Sequence, residues 1–369
     1  MDDVRTIDIA VAGKFHAFHL ASALARIGAL RDLYSAHRSV RPPAGVKSRQ
    51  FHNRIEIAAW AQLSSIVPLG YSDGLKLRIF DRWLSRNLRQ KRQGVLHSWN
   101  GNSLATFKAL QGTGWLLCVE RSCPHNQFQY DLLVEEGKAI GVPHRQDPRD
   151  LASAIEELHL ADVIVAPSTY SAASYQEPAL KKKLRINPLG ANVRYLERAQ
   201  SEQGLRVLMV GNQFLRKGTH YLIEAFKKID DPNARLWIRG DVPGDYRSRI
   251  NDRRITIFPS LLPDKLHRLY RSANVFVQPS IDEGFGMTVL EALGYGLPVV
   301  VTEHVGARDL LTSEVSISVP IRSPDALVEA IMSARTLPGP TFDAARRRII
   351  EANSWQACAR RMLDQVYVR

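Results

Sequence analysis

The sequence predicts an α/β chain folded as two doubly wound halves of similar size. Short β-rich runs alternate with helical stretches over nearly the whole chain. The alternation starts again beyond "INPLGANVRYL" (186–196), so a second sheet follows the first. At 369 residues the chain exceeds a usual single domain, and an apolar fraction of 45% lets each half bury a core.

The first strand is "TIDIAVAG" (6–13), ending at Gly13. "FHAFHLASALARIGAL" follows, with Phe15, Phe18, Leu20, Leu24 and Ile27 at helical spacing. Residues 74–92, "GLKLRIFDRWLSRNLRQKR", read as an amphipathic helix. It carries an arginine stripe of Arg78, Arg82, Arg86 and Arg89, and a separate apolar face of Phe80, Trp83, Leu84 and Leu88. "GVLHSW" (94–99), "WLLCVE" (115–120) and "DVIVAPS" (162–168) are further strands, and "LKKKLR" (180–185) is a second basic run. The second half opens with the strand "GLRVLMVGN" (204–212) and the helix "GTHYLIEAFKKI". "ARLWIRGD", "RITIFPS", "NVFVQPS" and "LPVVVTE" are its later strands, which puts the boundary near 186 to 204. The tail "SWQACARRMLDQVYVR" is helical, with Ser354 as N-cap. Two such halves imply a cleft between them, with ligands at the carboxyl ends of the strands.

The formal charge of +13 favours anionic partners: nucleic acid, anionic lipid or nucleotide phosphates. No zinc-finger spacing and no RNA-binding aromatic motif occurs, which lowers the nucleic-acid reading. Cys118, Cys123 and Cys358 make neither an even framework nor a CxxC pair, so a reduced, cytoplasmic protein is expected. The N-terminus lacks the basic start and apolar run of a signal peptide, and no stretch approaches 18 unbroken apolar residues.

The chemistry concentrates in "EGFGMTVLEALGYGLPVV" (283–300). Gly284 and Gly286 remove Cβ atoms, so bare amides can approach a ligand closely. The helix expected from Met287 or Thr288 adds unpaired N–H groups and the positive end of its dipole, which favours a phosphate. Glu283 precedes the turn and Glu291 lies about one helical turn beyond it. A carboxylate accepts two hydrogen bonds and suits a vicinal diol, so one glutamate fits a ribose and the other a sugar. By spacing alone, an acidic loop with an ordinary N-terminal helix charge explains the stretch equally well. "VGNQFLRKG" (210–218) tips the balance, because Arg216 and Lys217 put two cations at a strand-to-helix turn of the same domain.

The pattern P-S-x-x-E-G-F-G-x-x-x-x-E-A-x-x-x-G-x-P-V-V resembles the donor-site motif of the family-4 retaining glycosyltransferases. "NPLGAN" (187–192) resembles the interdomain segment of that family, and "GNQFLRKGTHYLIEAF" its G-R-x-x-x-x-K-G segment. The likeness covers nearly all of 160–369 and is weaker before that. It implies the GT-B fold, with two Rossmann-like βαβ domains facing a cleft and a C-terminal helix returning to the first domain. Residues 1–190 would be the acceptor-side domain, 191–348 the nucleotide-sugar donor domain and 349–369 the returning helix. Carried over by residue, Glu283 would contact donor sugar hydroxyls, and Gly284, Phe285 and Gly286 the sugar and phosphate by backbone. Met287 and Thr288 would lie at the phosphate end of the helix, and Glu291 would hold the ribose. Lys217 would neutralise the departing diphosphate, and Phe258, Pro259 and Ser260 would flank the base. The family usually places arginine where this chain has Asn212, and Arg216 is the candidate substitute.

In the first domain Gly13 and Lys14 are candidates for the cleft. Family members often carry a histidine at the end of a central strand, close to the donor sugar. Here that strand ends in Glu120 and Arg121, with His125 nearby, so Glu120 or His125 would fill the role, and His97 is a weaker candidate. For His16 and His19 a capped or half-buried pair is a simpler account than acceptor binding.

The resemblance implies transfer of a hexose from a nucleoside-diphosphate sugar to a glycan or lipid-linked acceptor, with retention. No D-x-D triplet occurs, which fits the metal independence expected of the fold, and no cofactor is expected. Glu283 and Glu291 are then binders rather than the acid and nucleophile of a glycosidase. An epimerase of the same fold and a non-catalytic nucleotide-sugar-binding protein are the alternatives. An NAD enzyme is disfavoured, because "VAGKFHAFHLA" lacks the G-x-G-x-x-G turn. The arginine stripe adds an anionic membrane surface as a candidate partner.

Overall fold

The computed structural model describes residues 6–13, 16–36, 46–50, 69–197 and 204–368. Among them the first sheet is built from β1 (Ile7–Val11), β2 (Leu30–Ser35), β3 (Ser48–Gln50), β4 (Val95–Trp99), β5 (Leu116–Glu120), β6 (Val163–Ala166) and β7 (Leu184–Ile186). Their order is β3-β2-β1-β4-β5-β6-β7, with every pairing parallel. The second sheet is built from β8 (Arg206–Val210), β9 (Arg235–Arg239), β10 (Ile255–Phe258), β11 (Val275–Gln278), β12 (Val299–Thr302) and β13 (Ser316–Val319). Its order is β10-β9-β8-β11-β12-β13, again all parallel. The chain is thus two Rossmann-like α/β units. β1, β4, β5, β6, β11 and β12 are buried along their whole length, as expected of strands covered by helices on both faces.

Each order reverses beside its first strand, between β1 and β4 and between β8 and β11. Loops leaving the two carboxyl ends at such a reversal diverge to opposite faces of the sheet and open a crevice. In the second sheet those two loops carry Arg216–Lys217 and Glu283–Gly286.

Every strand read from the sequence is present, and β2, β3, β7 and β13 join them. The arginine helix runs Leu69–Leu88, earlier than its apolar pattern indicates, so Arg89 lies beyond its end. Phe80, Leu84 and Leu88 are fully buried, Trp83 is half-buried, and Arg78, Arg82 and Arg86 are exposed. The first helix is Ala17–Arg26, and Ile27, placed on its core face from the sequence, is its exposed C-cap. Lys14 and Phe15 lie outside the described residues.

The tail packs on the first sheet. Ser354 Oγ accepts from Ala357 N at 3.2 Å and starts the helix Trp355–Arg361, which continues as a wider turn over Met362–Val366. Trp355 stacks on His16 and His19 at 5.7 and 5.5 Å between ring centres. The Tyr367 hydroxyl lies 2.9 Å from Nδ1 of His97 in β4. The preceding helix, Pro340–Ala352, stays with the second half, where Arg346 donates to the Leu293 carbonyl at 3.2 Å.

Candidate active site

The centre of the site is an ion pair. Lys217 Nζ donates to Glu283 Oε2, and both side chains are about nine-tenths buried. The turn that aims Lys217 requires Gly218, at φ +62°, where a Cβ would meet the Pro279 carbonyl oxygen at 2.0 Å. The Arg216 carbonyl accepts from the amides of Ile281 and Asp282 at 3.0 and 3.2 Å, so the two loops are stitched backbone to backbone. The Arg216 side chain is occupied. It donates to Gln213 Oε1 at 2.5 Å and to the Asp282 carbonyl at 3.2 Å, and lies 3.8 and 3.7 Å from the carboxylates of Asp282 and Glu283. Burial, and next the Arg216 guanidinium, pull the Lys217 ammonium down to about 7. The Glu283 carboxylate in direct contact with Nζ acts the other way and favours the charged ammonium.

The glycine turn is gripped from the first domain. The Gly284 carbonyl accepts from Ser168 Oγ at 2.7 Å and Ser171 Oγ at 3.3 Å. A Cβ on Gly284 would lie 2.1 Å from the Ser122 carbonyl oxygen. Asp282, fully buried, accepts from Tyr170 at 3.0 Å and also from Gln129, both first-domain residues. Glu283 N donates to the His304 carbonyl at 3.1 Å and Gly306 N to the Glu283 carbonyl at 2.9 Å, which fixes the loop against the segment that follows β12. Phe285 is buried, and Gly286, at φ +99°, precedes the helix Met287–Gly294 without a side-chain cap. Met287 and Thr288 are half-buried, and Thr288 Oγ1 donates to Gln278 Oε1 at 3.2 Å.

Glu291, half-buried on that helix, accepts from the Tyr270 hydroxyl at 3.0 Å, and burial pushes its carboxyl above the usual range. It lines a cavity of about 750 Å³ together with Arg194, Arg239, Leu261, Tyr270 and Arg271. Phe258 closes β10, with Pro259 and Ser260 exposed after it, and Leu261 and Pro263, next along the chain, line the cavity. Asn212 is exposed, and its Oδ1 accepts from Nη1 of Arg239 at 2.7 Å.

In the first domain Glu120 is buried at the carboxyl end of β5, and burial works against its charge. Contacts with His16 and His97 outweigh this and hold its carboxyl far below the usual range. Its Oε1 lies 2.6 Å from His16 Nε2 and accepts from Trp99 Nε1 and Ser122 Oγ at 3.0 Å each. His97 Nε2 lies 3.4 Å from Oε2. Glu120 is therefore joined to Ser122, whose carbonyl closes on Gly284. His125 begins the helix Asn126–Ile140, and its ring lies edge-on to Tyr175 at 5.1 Å, with burial lowering its pKa. His16 is half-buried between Glu120 and Trp355, and His19 contacts Asn192 at 2.9 Å. Gly13 is exposed at the end of β1.

Sequence reasoning passed over Asp282, Arg239, Tyr270 and the serines Ser168 and Ser171. Asp282 and Arg239 carried a usable signal, since each is a charged residue at or just past the carboxyl end of a strand. Tyr270 and the two serines carried none, because their roles depend on helix packing.

Residues 197–355 match the family described as glycosyl transferases group 1. An uncharacterized glycosyltransferase, MJ1607, of Methanocaldococcus jannaschii is 32% identical over 171 residues, which are 43% of this chain and 43% of that protein. The chain therefore aligns with less than half the length of that relative. Sucrose-phosphate synthase from Thermosynechococcus elongatus superposes with a TM-score of 0.73 at 19% identity over 97% of each chain. HepE of Anabaena, solved with UDP and glucose, superposes with a TM-score of 0.65 at 13% identity, over 98% of this chain and 99% of that one. Residues 197–355 are thus a glycosyl transferases group 1 domain, carried in a chain with the two-sheet GT-B fold.

Proposed function

We propose that this chain transfers a hexose from a nucleoside-diphosphate sugar to a glycan or glycolipid acceptor, with retention at the anomeric carbon and without a metal ion. The observation that carries this reading is the meeting of Lys217, Arg216 and Glu283 where β8 and β11 diverge, with Glu291 lining a cavity from the helix that follows the Glu283 loop. The UDP and glucose named with HepE support a donor of this class.

In the reaction the bond from the anomeric carbon to the diphosphate breaks. The acceptor oxygen bonds to the same face, and the acceptor proton passes to the departing phosphate. Charge grows on the diphosphate, so groups already aimed there lower the barrier. Lys217 supplies the cation at the helix entrance, and exchanges part of its contact with Glu283 for the phosphate. Glu283 then accepts from sugar hydroxyls, and the amides of Gly284, Phe285 and Gly286 border the same space. Glu291 accepts from the ribose. Glu120, fixed by His16, Trp99 and Ser122, shapes the first-domain wall of the sugar site. The exposed arginines of the helix Leu69–Leu88 fit a peripheral attachment to an anionic membrane carrying a lipid-linked acceptor.

The test is a screen of UDP-, GDP- and ADP-hexoses for release of the nucleoside diphosphate, with sugar products analysed in the absence and presence of acceptors. Release from one of the donors supports the reading. Conversion to an epimer without release would replace it with the epimerase, and binding without turnover with the non-catalytic protein.

A further inference from the structure

We propose that Arg239 is the cation that takes the distal phosphates of the bound nucleotide, so that the diphosphate is held between Arg239 and Lys217. The inference rests on the nucleotide-sugar reading of the site and adds to it a residue that the sequence motifs do not mark.

Arg239 is the last residue of β9, and the strand pattern places it opposite Leu236 and Ile238, which point into the core. It pairs with Val210, the last residue of β8, and Gly211 N donates to its carbonyl at 2.9 Å. Arg239 is therefore fixed beside the turn that carries Lys217. A Cβ on Gly240 would lie 1.9 Å from the Gly211 carbonyl oxygen, and one on Gly211 would lie 2.9 Å from Lys217 Cε. The glycines let the ends of β8 and β9 and the lysine side chain close up, so Lys217 and the end of the strand that carries Arg239 both pack against Gly211.

The guanidinium has donors to spare. Nη1 donates to Asn212 Oδ1 at 2.7 Å, a neutral acceptor that orients the group without neutralising it. Among the described residues no carboxylate pairs with it. Arg216 differs, since its side chain is already engaged by Gln213, Asp282 and Glu283. Arg239 also lines the cavity that holds Glu291, where Arg194 and Arg271 add positive charge and Glu291 is the carboxylate. Tyr270, hydrogen-bonded to Glu291, feels the Arg239 charge. A guanidinium with free, coplanar N–H groups binds a phosphate through two parallel hydrogen bonds. The cavity thus offers a carboxylate suited to a diol and a guanidinium suited to a phosphate.

The experiment compares wild type, Arg239→Gln, Arg239→Lys and Glu291→Gln by calorimetric titration with UDP, GDP and ADP and with uridine, guanosine and adenosine. For the diphosphate that wild type binds, Arg239→Gln should weaken affinity about tenfold or more, and leave the matching nucleoside within about threefold. Arg239→Lys should lose less than Arg239→Gln, because it keeps the charge and loses the fork. Unchanged diphosphate affinity in Arg239→Gln, alongside a loss in Glu291→Gln, overturns the role of Arg239 and leaves the nucleotide site standing. An equal loss of nucleoside and diphosphate in Arg239→Gln also overturns it. Failure of wild type to bind any of the three diphosphates overturns this inference and the transferase reading together.

Discussion

Lys217 and Glu283 come from loops 66 residues apart and meet as a buried ion pair where β8 and β11 diverge. A buried carboxylate stripped of its cation costs several kcal/mol, whereas removing both charges costs far less. Lys217→Ala should therefore lower unfolding free energy by about 3 kcal/mol. Lys217→Met combined with Glu283→Gln should recover most of that stability and none of the transfer activity. Urea denaturation of the single and double variants checks the first statement and donor turnover the second. Additive losses of stability would show that the two charges do not interact.

How much of this was legible in the sequence differs by layer. Strands buried on both faces announce themselves as unbroken apolar runs such as "VLMV" and "VFVQ", and both halves and the turn at Glu283 followed from that. β3 and β7 span three residues each, too few to carry a pattern, and the basic run "LKKKLR" hides the start of β7. The glycine loop at Glu283 was readable because its glycines and acids are contiguous. The grip on it was not, since Ser168, Ser171, Gln129 and Tyr170 reach Gly284 and Asp282 across more than a hundred residues. Asn212 stands where the resembled family usually has a cation, and its hydrogen-bond partner Arg239 lies 27 residues on, so only its place at a strand end, not its spacing from Asn212, pointed to it.

Glu157 provides a pH test of the first domain. It is fully buried, accepts from the amides of Gly101 at 2.5 Å and Ser103 at 3.1 Å, and burial pushes its carboxyl up to about 8. The folded chain then holds a proton that the unfolded chain releases near the ordinary 4.5. Between those values the unfolded state binds fewer protons, so this group makes stability fall as pH rises from 4.5 to 8. The slope approaches about 1.4 kcal/mol per pH unit at most. Below the window it contributes nothing, and above it the penalty is constant. Urea unfolding at several pH values inside the window should show a shallower fall for Glu157→Gln than for wild type. Parallel slopes would contradict the assignment.

The arginine helix makes a prediction about location. Phe80, Leu84 and Leu88 are spent on the core, so any membrane contact must be electrostatic. Co-sedimentation with anionic vesicles should fall as salt rises and weaken when Arg82 and Arg86 become glutamate, at roughly 1 kcal/mol per basic residue near the surface. Equal sedimentation with neutral vesicles, or none with either, would remove the membrane from the account and leave the transfer chemistry untouched.

The most direct measurement separates the two glutamates of the glycine turn. It combines calorimetric affinity for the free nucleoside diphosphate with turnover of the preferred nucleotide sugar in Glu283→Gln and Glu291→Gln. Glu291→Gln should weaken diphosphate and nucleotide sugar alike, by roughly 1.5–3 kcal/mol, because the ribose is common to both. Glu283→Gln should leave the diphosphate nearly unaffected and lower transfer, because its carboxylate serves the sugar. Equal loss of diphosphate affinity in both variants, or in neither, would contradict the account.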